Sequence, residues 1–112
     1  MIKGMHGIFF TPEAEEARSF VRDKLGLPHV DAGDGWLVFA VPQAELAFHP
    51  GDDTRHDISF WCDDVEATRA ELQAKGVDFT SPVTDRGFGL VTTFEMPGGI
   101  EVMLYEPRHP QP

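Results

Sequence analysis

Arg55–Gly76, RHDISFWCDDVEATRAELQAKG, reads as an apolar strand, an acidic helix start, a helix and a glycine stop. The same pattern occurs earlier, in Met5–Gly26, MHGIFFTPEAEEARSFVRDKLG. Laid over it, Asp57 falls on His6, Phe60 on Phe9, Trp61 on Phe10, Arg69 on Arg18 and Leu72 on Val21, at a constant offset of 51 residues. A strand-helix unit carried twice by 112 residues predicts two copies of one module. The chain is long enough for one shared core and too short for two independent ones. The expected organisation is a single domain over 1–112, with module one at about 1–50, module two at about 55–107 and a tail at 108–112.

Working outward, Lys3–Phe10 predicts the first strand. Thr11-Pro12 predicts a helix start, and Ala14, Ala17, Phe20, Val21 and Leu25 its inner face. Gly26 and Pro28 end that helix. Asp34-Gly35 marks a hairpin before a strand at Trp36–Val41, and Glu45–His49 alternates as a fourth strand. In module two, Asp57–Cys62 is a strand, Asp63 or Asp64 caps the helix, and Glu66 completes a capping box with Asp63. Val77–Phe79, Leu90–Phe94 and Ile100–Tyr105 follow as strands, the last two joined by Pro97-Gly98-Gly99. The residues after Tyr105, with three prolines, are expected to fray.

A net charge of −10 repels phosphate backbones and anionic lipid, so neither nucleic acid nor membrane is an expected partner. One cysteine, Cys62, in an apolar run predicts a small buried thiol in a reducing, cytoplasmic setting.

The order βαβββ twice, with HGIFFTPEAEEARSFVRDKLGLP, DISFWCDDVEATRAELQAKGV and MPGGIEVMLYEP, resembles the vicinal oxygen chelate superfamily of glyoxalases, bleomycin-resistance proteins and dioxygenases. The resemblance implies an α+β fold in which each module is a half-barrel sheet and two modules form a cup, with homodimers completing the cups. It also implies metal ligands on the first and last strands of each module. Carried over residue by residue, these positions fall on His6, Glu45, Asp57 and Met103. His6 matches the family's histidine and Glu45 its glutamate, whereas Asp57 stands where metal enzymes of the family have histidine and Met103 where they have glutamate. Thioether is a soft ligand and suits a hard divalent ion poorly. Glu101 shares the face of Met103, two residues or about 7 Å along the strand. His56 is one residue out of step with the histidine position, which turns it to the other face.

Strand parity puts Phe10, Ser59, Trp61, Met103 and Tyr105 in the groove with His6, Glu45 and Asp57, and turns Phe9, Ile58, Phe60, Cys62, Val102 and Leu104 toward the helices. Such a groove suits an organic ligand stacked on aromatic faces. Trp61 and Tyr105 fit subunit packing equally well. His29, His49, His56 and His109 read as surface residues, of which His49 alone shares the parity of Glu45.

Two functions follow from these residues. One is a small-molecule binder holding an organic compound without a complete metal site. The alternative is a divalent-metal-dependent lyase, isomerase or dioxygenase using His6, Glu45 and Asp57, with Met103 or Glu101 as the fourth ligand. For metal-free catalysis, Asp57 or Glu45 is the candidate general base and His6 its partner.

Overall fold

The fold follows from where long apolar strands can find partners. The structure, a computed structural model, describes residues 6–48, 50 and 52–111. Its elements are α1 (Ala14–Phe20), β1 (His29–Asp31), β2 (Leu37–Phe39), β3 (Ser59–Trp61), α2 (Val65–Ala74), β4 (Asp78–Phe79), β5 (Thr84–Asp85), β6 (Gly89–Met96) and β7 (Ile100–Pro107). β6 and β7 form the long antiparallel hairpin at the centre of a five-stranded sheet ordered β3-β7-β6-β4, with β5 also on β6. β3 joins the other side of β7 in parallel. β1 and β2 make a separate antiparallel pair.

α2 starts where the sequence places a cap. Asp64 accepts the Ala67 N–H at 3.0 Å, so of the two candidate caps Asp64 serves. The expected capping box with Glu66 gives way to a tertiary bond: the Val65 N–H, in the first turn, donates to Glu106 Oε1 of β7 at 3.1 Å. The helix thus ties its own start to the central strand. Gly76, at φ 85°, turns the chain out of the helix in a conformation that costs glycine least.

The core lies between α2 and one face of the sheet. Val65, Val77, Phe94, Met96, Val102 and Leu104 are buried there, with Phe60, Cys62, Leu72 and Phe79 packed around them. Phe94, 1% exposed, stacks on Phe60 and tilts against Phe79. From the first module, Phe20 is buried in this core and Val21 and Leu25 pack on it. α1 continues as a wider π-helical turn over Val21–Leu25 that ends at Gly26, φ 68°. The inner face expected for α1 is therefore present, but it docks on the second module. Lys24 Nζ reinforces the docking by donating to the Gly76 carbonyl at 3.3 Å.

Several expected elements form differently. The Asp34-Gly35 hairpin is present, with Trp36 N–H donating to the Gly33 carbonyl and Ala32 N–H to the Trp36 carbonyl, but its strands are only three residues long. Residues 6–10 form no strand, and neither do residues 45–48; His49 lies outside the described residues. A strand needs a neighbour with free backbone groups. Here Gly7 rests on Ile58 and Thr11 crowds Gly98, so residues 6–10 pass along the end of the sheet without pairing. Phe9 is exposed rather than in the core, and Ile58 is half-buried outside it.

The tail also departs from expectation. β7 runs two residues past Tyr105, because β6 reaches back to Gly89 and gives Glu106 and Pro107 partners. Arg108 N–H then donates to the Phe88 carbonyl at 2.8 Å. The helix start also differs, with Glu13 rather than Thr11 at the N-cap; Thr11 Oγ1 accepts the Glu13 N–H at 3.2 Å.

Apolar exposure is lopsided. Among the described residues, the exposed large apolar side chains are Ile8, Phe9, Phe10, Val30, Trp36, Val41, Leu46, Phe48 and Phe88, so all of these but Phe88 lie within residues 1–50. The Cα radius of gyration, 14.8 Å, exceeds the roughly 13 Å of a compact chain near this length. No helix among the described residues is long and apolar enough to cross a membrane.

Candidate functional site

The sheet face opposite α2 carries the chemistry, and the strand register orders it in rows. Trp61, Tyr105 and Val91 stand abreast on β3, β7 and β6. Ser59, Met103 and Thr93 form the next row. Glu101 and Glu95 follow on β7 and β6, with Asp78 beside Glu95 on β4. The parity expected for Ser59, Trp61, Met103 and Tyr105 is therefore the parity seen.

Tyr105 is the hub of the first row. Phe88 meets its ring edge-on, with centroids 5.8 Å apart, and the His109 ring lies 6.1 Å away. Tyr105 Oη and His109 Nε2 are hydrogen-bonded at 3.3 Å. Behind the ring, Gly89 has no side chain because none fits: a Cβ there would lie 2.9 Å from Tyr105 Cδ2 and 2.6 Å from the Glu106 carbonyl oxygen. Burial, and then the negative charge of Glu45, push the Tyr105 phenol above its ordinary pKa of 10.0.

Residues 43–45 and the chain end close over this row. Trp61 Nε1–H donates to the Gln43 carbonyl at 3.4 Å. The Glu45 carboxylate, on a half-buried residue, accepts a hydrogen bond from Gln111 Nε2. Beside Met103 the face is polar instead. Thr93 Oγ1 shares hydrogen bonds with Thr80 Oγ1 at 2.6 Å and Ser81 Oγ at 2.8 Å, and Thr80 Oγ1–H donates to Glu101 Oε1 at 2.8 Å.

Of the residues expected in the groove, the structure gathers Trp61, Tyr105 and Glu45 into one cluster and sets Ser59 and Met103 in the adjoining row. Phe10 does not join them; its ring is 90% exposed. His6 is exposed, and Asp57 is an exposed residue ion-paired with Arg55 at 3.6 Å. Extending the β3–β7 register by two residues sets Asp57 level with Glu101, not with Met103.

Among the described residues no three His, Cys, Asp or Glu side chains come close enough together to hold a metal ion. A divalent ion bound by His6, Glu45 and Asp57 together does not fit their placement in one chain. His109, read from sequence as a surface residue, is half-buried against Tyr105, and Phe88 and Gln111 complete the cluster. Parity could not place these three, because they lie just outside the ends of the strands; the one local signal was the aromatic flanked by two glycines in Gly87-Phe88-Gly89.

A separate shallow cleft of about 260 Å³ lies between α1 and the β4–β6 edge, lined by Phe20, Lys24, Gly76, Asp78, Glu95, Met96 and Pro97. It belongs to the docking of α1 and shares no residue with the Tyr105 cluster.

Comparison with known proteins agrees with this architecture. TnmS3, an antibiotic binding protein from Streptomyces sp. CB03234, shares the fold with a TM-score of 0.66 at 24% identity, over 96% of this chain and 99% of its own. A glyoxalase/bleomycin resistance protein/dioxygenase from Nocardioides shares it with a TM-score of 0.58 at 21% identity, over 91% of this chain and 82% of its own. In sequence, the chain is 32% identical over 120 aligned positions to a manganese-dependent 2,3-dihydroxybiphenyl 1,2-dioxygenase of Geobacillus genomosp. 3. That match takes in 95% of this chain but only 38% of the enzyme's length. The model of the Glyoxalase/Bleomycin resistance protein/Dioxygenase superfamily matches residues 5–104, and the chain belongs to that superfamily.

Proposed function

We propose that the chain is a small-molecule-binding protein that holds an organic ligand against the aromatic row of its sheet, as a homodimer in the cytoplasm. The observation that carries this reading is the clustering of Trp61, Tyr105 and Phe88 on one sheet face beside the polar groups of Glu45, His109 and Gln111. Flat rings give a stacking surface, and the few polar tips fix orientation. TnmS3, with the same fold, is an antibiotic binding protein, which supports the same use of the face here.

The homodimer follows from the uncovered first module. Phe10 and Phe48, at 90% and 91% exposure, together with Leu46 and Trp36, are large apolar side chains left open to solvent, the kind of surface that a partner covers. A second copy covers it and supplies neighbours to the unpaired residues 6–10 and 45–48. The half-buried free thiol of Cys62 suits a reducing compartment.

The test is binding of a panel of planar polycyclic compounds to a W36F background, in which Trp61 is the remaining fluorophore. Saturable quenching at one ligand per chain is expected, at dissociation constants below about 1 mM, and lost in Y105A. Unchanged binding in a folded Y105A chain, or no saturable ligand, overturns the proposal. Light scattering should give twice 12.5 kDa.

A second reading is favoured by the 32% identity to a manganese-dependent dioxygenase. On that reading, a dimer brings His6 of one chain to carboxylates of the other. Calorimetric titration with manganese, zinc, nickel and calcium separates the two: stoichiometric binding abolished by H6A supports the metal enzyme, and its absence removes it.

A further inference from the structure

Among the described residues, Glu45 is a carboxylate without a counter-charge. Its residue is half-buried, and the ion pairs among the described residues are Arg22–Asp23, Arg55–Asp57, Lys75–Glu71 and Arg108–Glu106, none of which includes it. Among the described residues, the polar group bonded to its carboxylate is the neutral amide of Gln111. His109, the nearby base, is engaged elsewhere: Nε2 bonds Tyr105 Oη, and Nδ1 lies 2.9 Å from the Pro110 carbonyl. The same carboxylate stands near enough to Tyr105 for its charge to act on the phenol.

Around it are the groups that favour positive charge. The faces of Trp61, Tyr105 and Phe88 carry negative potential and attract cations placed over them. The whole chain, at −10, draws cations toward it and repels anions. A neutral ligand would gain stacking here and at most a hydrogen bond to Glu45, as the Gln111 amide does, with none of the charge matched; an anion would be repelled by it.

We infer that Glu45 anchors an organic cation, a planar aromatic molecule bearing a fixed positive charge, stacked on Trp61 and Tyr105, and that Gln111 occupies Glu45 until such a ligand displaces it. The inference rests on the small-molecule reading above and narrows it to one charge class. The juxtaposition is of a half-buried carboxylate, aromatic faces and a displaceable neutral amide. It costs the chain little to exchange an amide on an otherwise unpaired carboxylate for a cation, because the amide satisfies one hydrogen bond and none of the charge.

Three bicyclic probes of matched size test it in equilibrium dialysis at pH 7: N-methylquinolinium as cation, quinoline as neutral ring and naphthalene-2-sulfonate as anion. The cation should bind at least about tenfold more tightly than quinoline, from its attraction to the rings and the carboxylate, and the anion most weakly. E45Q should lower the cation-to-neutral ratio to the part that the rings alone supply. Q111A, which frees Glu45, should strengthen cation binding roughly two- to tenfold. A ratio near one in the natural protein overturns the charge assignment and leaves the small-molecule reading standing. A ratio that E45Q does not lower, in a chain with unchanged circular dichroism, also overturns the assignment. Failure of all three probes to bind overturns both readings together.

Discussion

Replacing Gly89 by alanine should destabilise the protein and disturb the aromatic row together. Gly89 is buried at the start of β6, and its φ lies outside the left-handed region, so an alanine backbone fits. On backbone grounds alone the change would stabilise by about 0.4–1 kcal/mol, since the unfolded chain loses freedom. Space opposes it. The new methyl would sit 2.6 Å from the Glu106 carbonyl oxygen and 2.9 Å from Tyr105 Cδ2. The ring edge can tilt, but the carbonyl belongs to β7 and can move only by separating the strands. Overpacking of this kind costs about 1–3 kcal/mol. The steric cost therefore wins, for a net loss of about 1–2 kcal/mol. With a urea slope of about 1–1.5 kcal/mol per M, the midpoint should fall by roughly 1 M. Urea denaturation followed by tryptophan fluorescence measures it. The tilted ring should also weaken ligand stacking beyond what the stability loss explains. A G89A chain at least as stable as the natural one, binding ligand equally well, would refute the packing that places Tyr105.

Two further outcomes are expected. Tyr105 is the sole tyrosine, so phenolate absorbance reads it alone; its midpoint should lie above 10.0, and E45Q should lower it toward that value without reaching it, because burial, the larger cause, remains. Since folding raises this pKa, the associated stability is complete below pH 10 and is lost as pH climbs through the folded value, and E45Q should shrink that alkaline loss. Removing the α2 cap with D64A should cost about 1 kcal/mol by thermal or urea unfolding, within the range for caps, because Glu106 still holds the Val65 N–H; no measurable loss would mean that Glu106 alone secures the helix start.

What the sequence revealed was mostly local. Asp64 before an apolar helix, Gly76 after it and the alternation of IEVMLYEP report their conformations through their own dihedral and burial preferences, and each is seen. Trp61 and Tyr105 shared a face in the reading because strand parity is a property of each strand alone. The misses concern pairing. Nothing within residues 6–10 or 45–48 says whether a neighbouring strand will be present, so the apolar aromatic run of the first and the alternation of the second predicted strands that these residues do not form in one chain. The family's ligand positions, carried over, grouped Met103 with Asp57 in one site, whereas the register of β3 on β7 sets Met103 beside Ser59. Register depends on two strands at once, and a displacement of two residues preserves parity while moving every partner by about 7 Å. The tail failed for a related reason: Glu106 and Pro107 are strand only because β6 reaches Gly89 opposite them.

On the proposed reading, the segment bearing Glu45 would link ligand binding to association. Glu45 is turned inward, with its charge acting on Tyr105 and its carboxylate held by Gln111, while its neighbours Leu46 and Phe48 are 73% and 91% exposed. On the reading proposed above, one short stretch presents an anchoring carboxylate to the ligand and apolar side chains to the second copy. Residues 45–48 form no strand in the single chain, so little but the Gln111 contact and the Gln43 carbonyl on Trp61 fixes where that carboxylate stands. Pairing with a second copy would fix it, and the ordering cost would then be met by association rather than by ligand. Coupling of this kind is reciprocal: whatever factor dimerisation adds to ligand affinity, ligand adds to dimerisation. On that reading, the residues flanking Glu45, exposed and without strand partners in the single chain, are the ones that both a partner and a ligand would set.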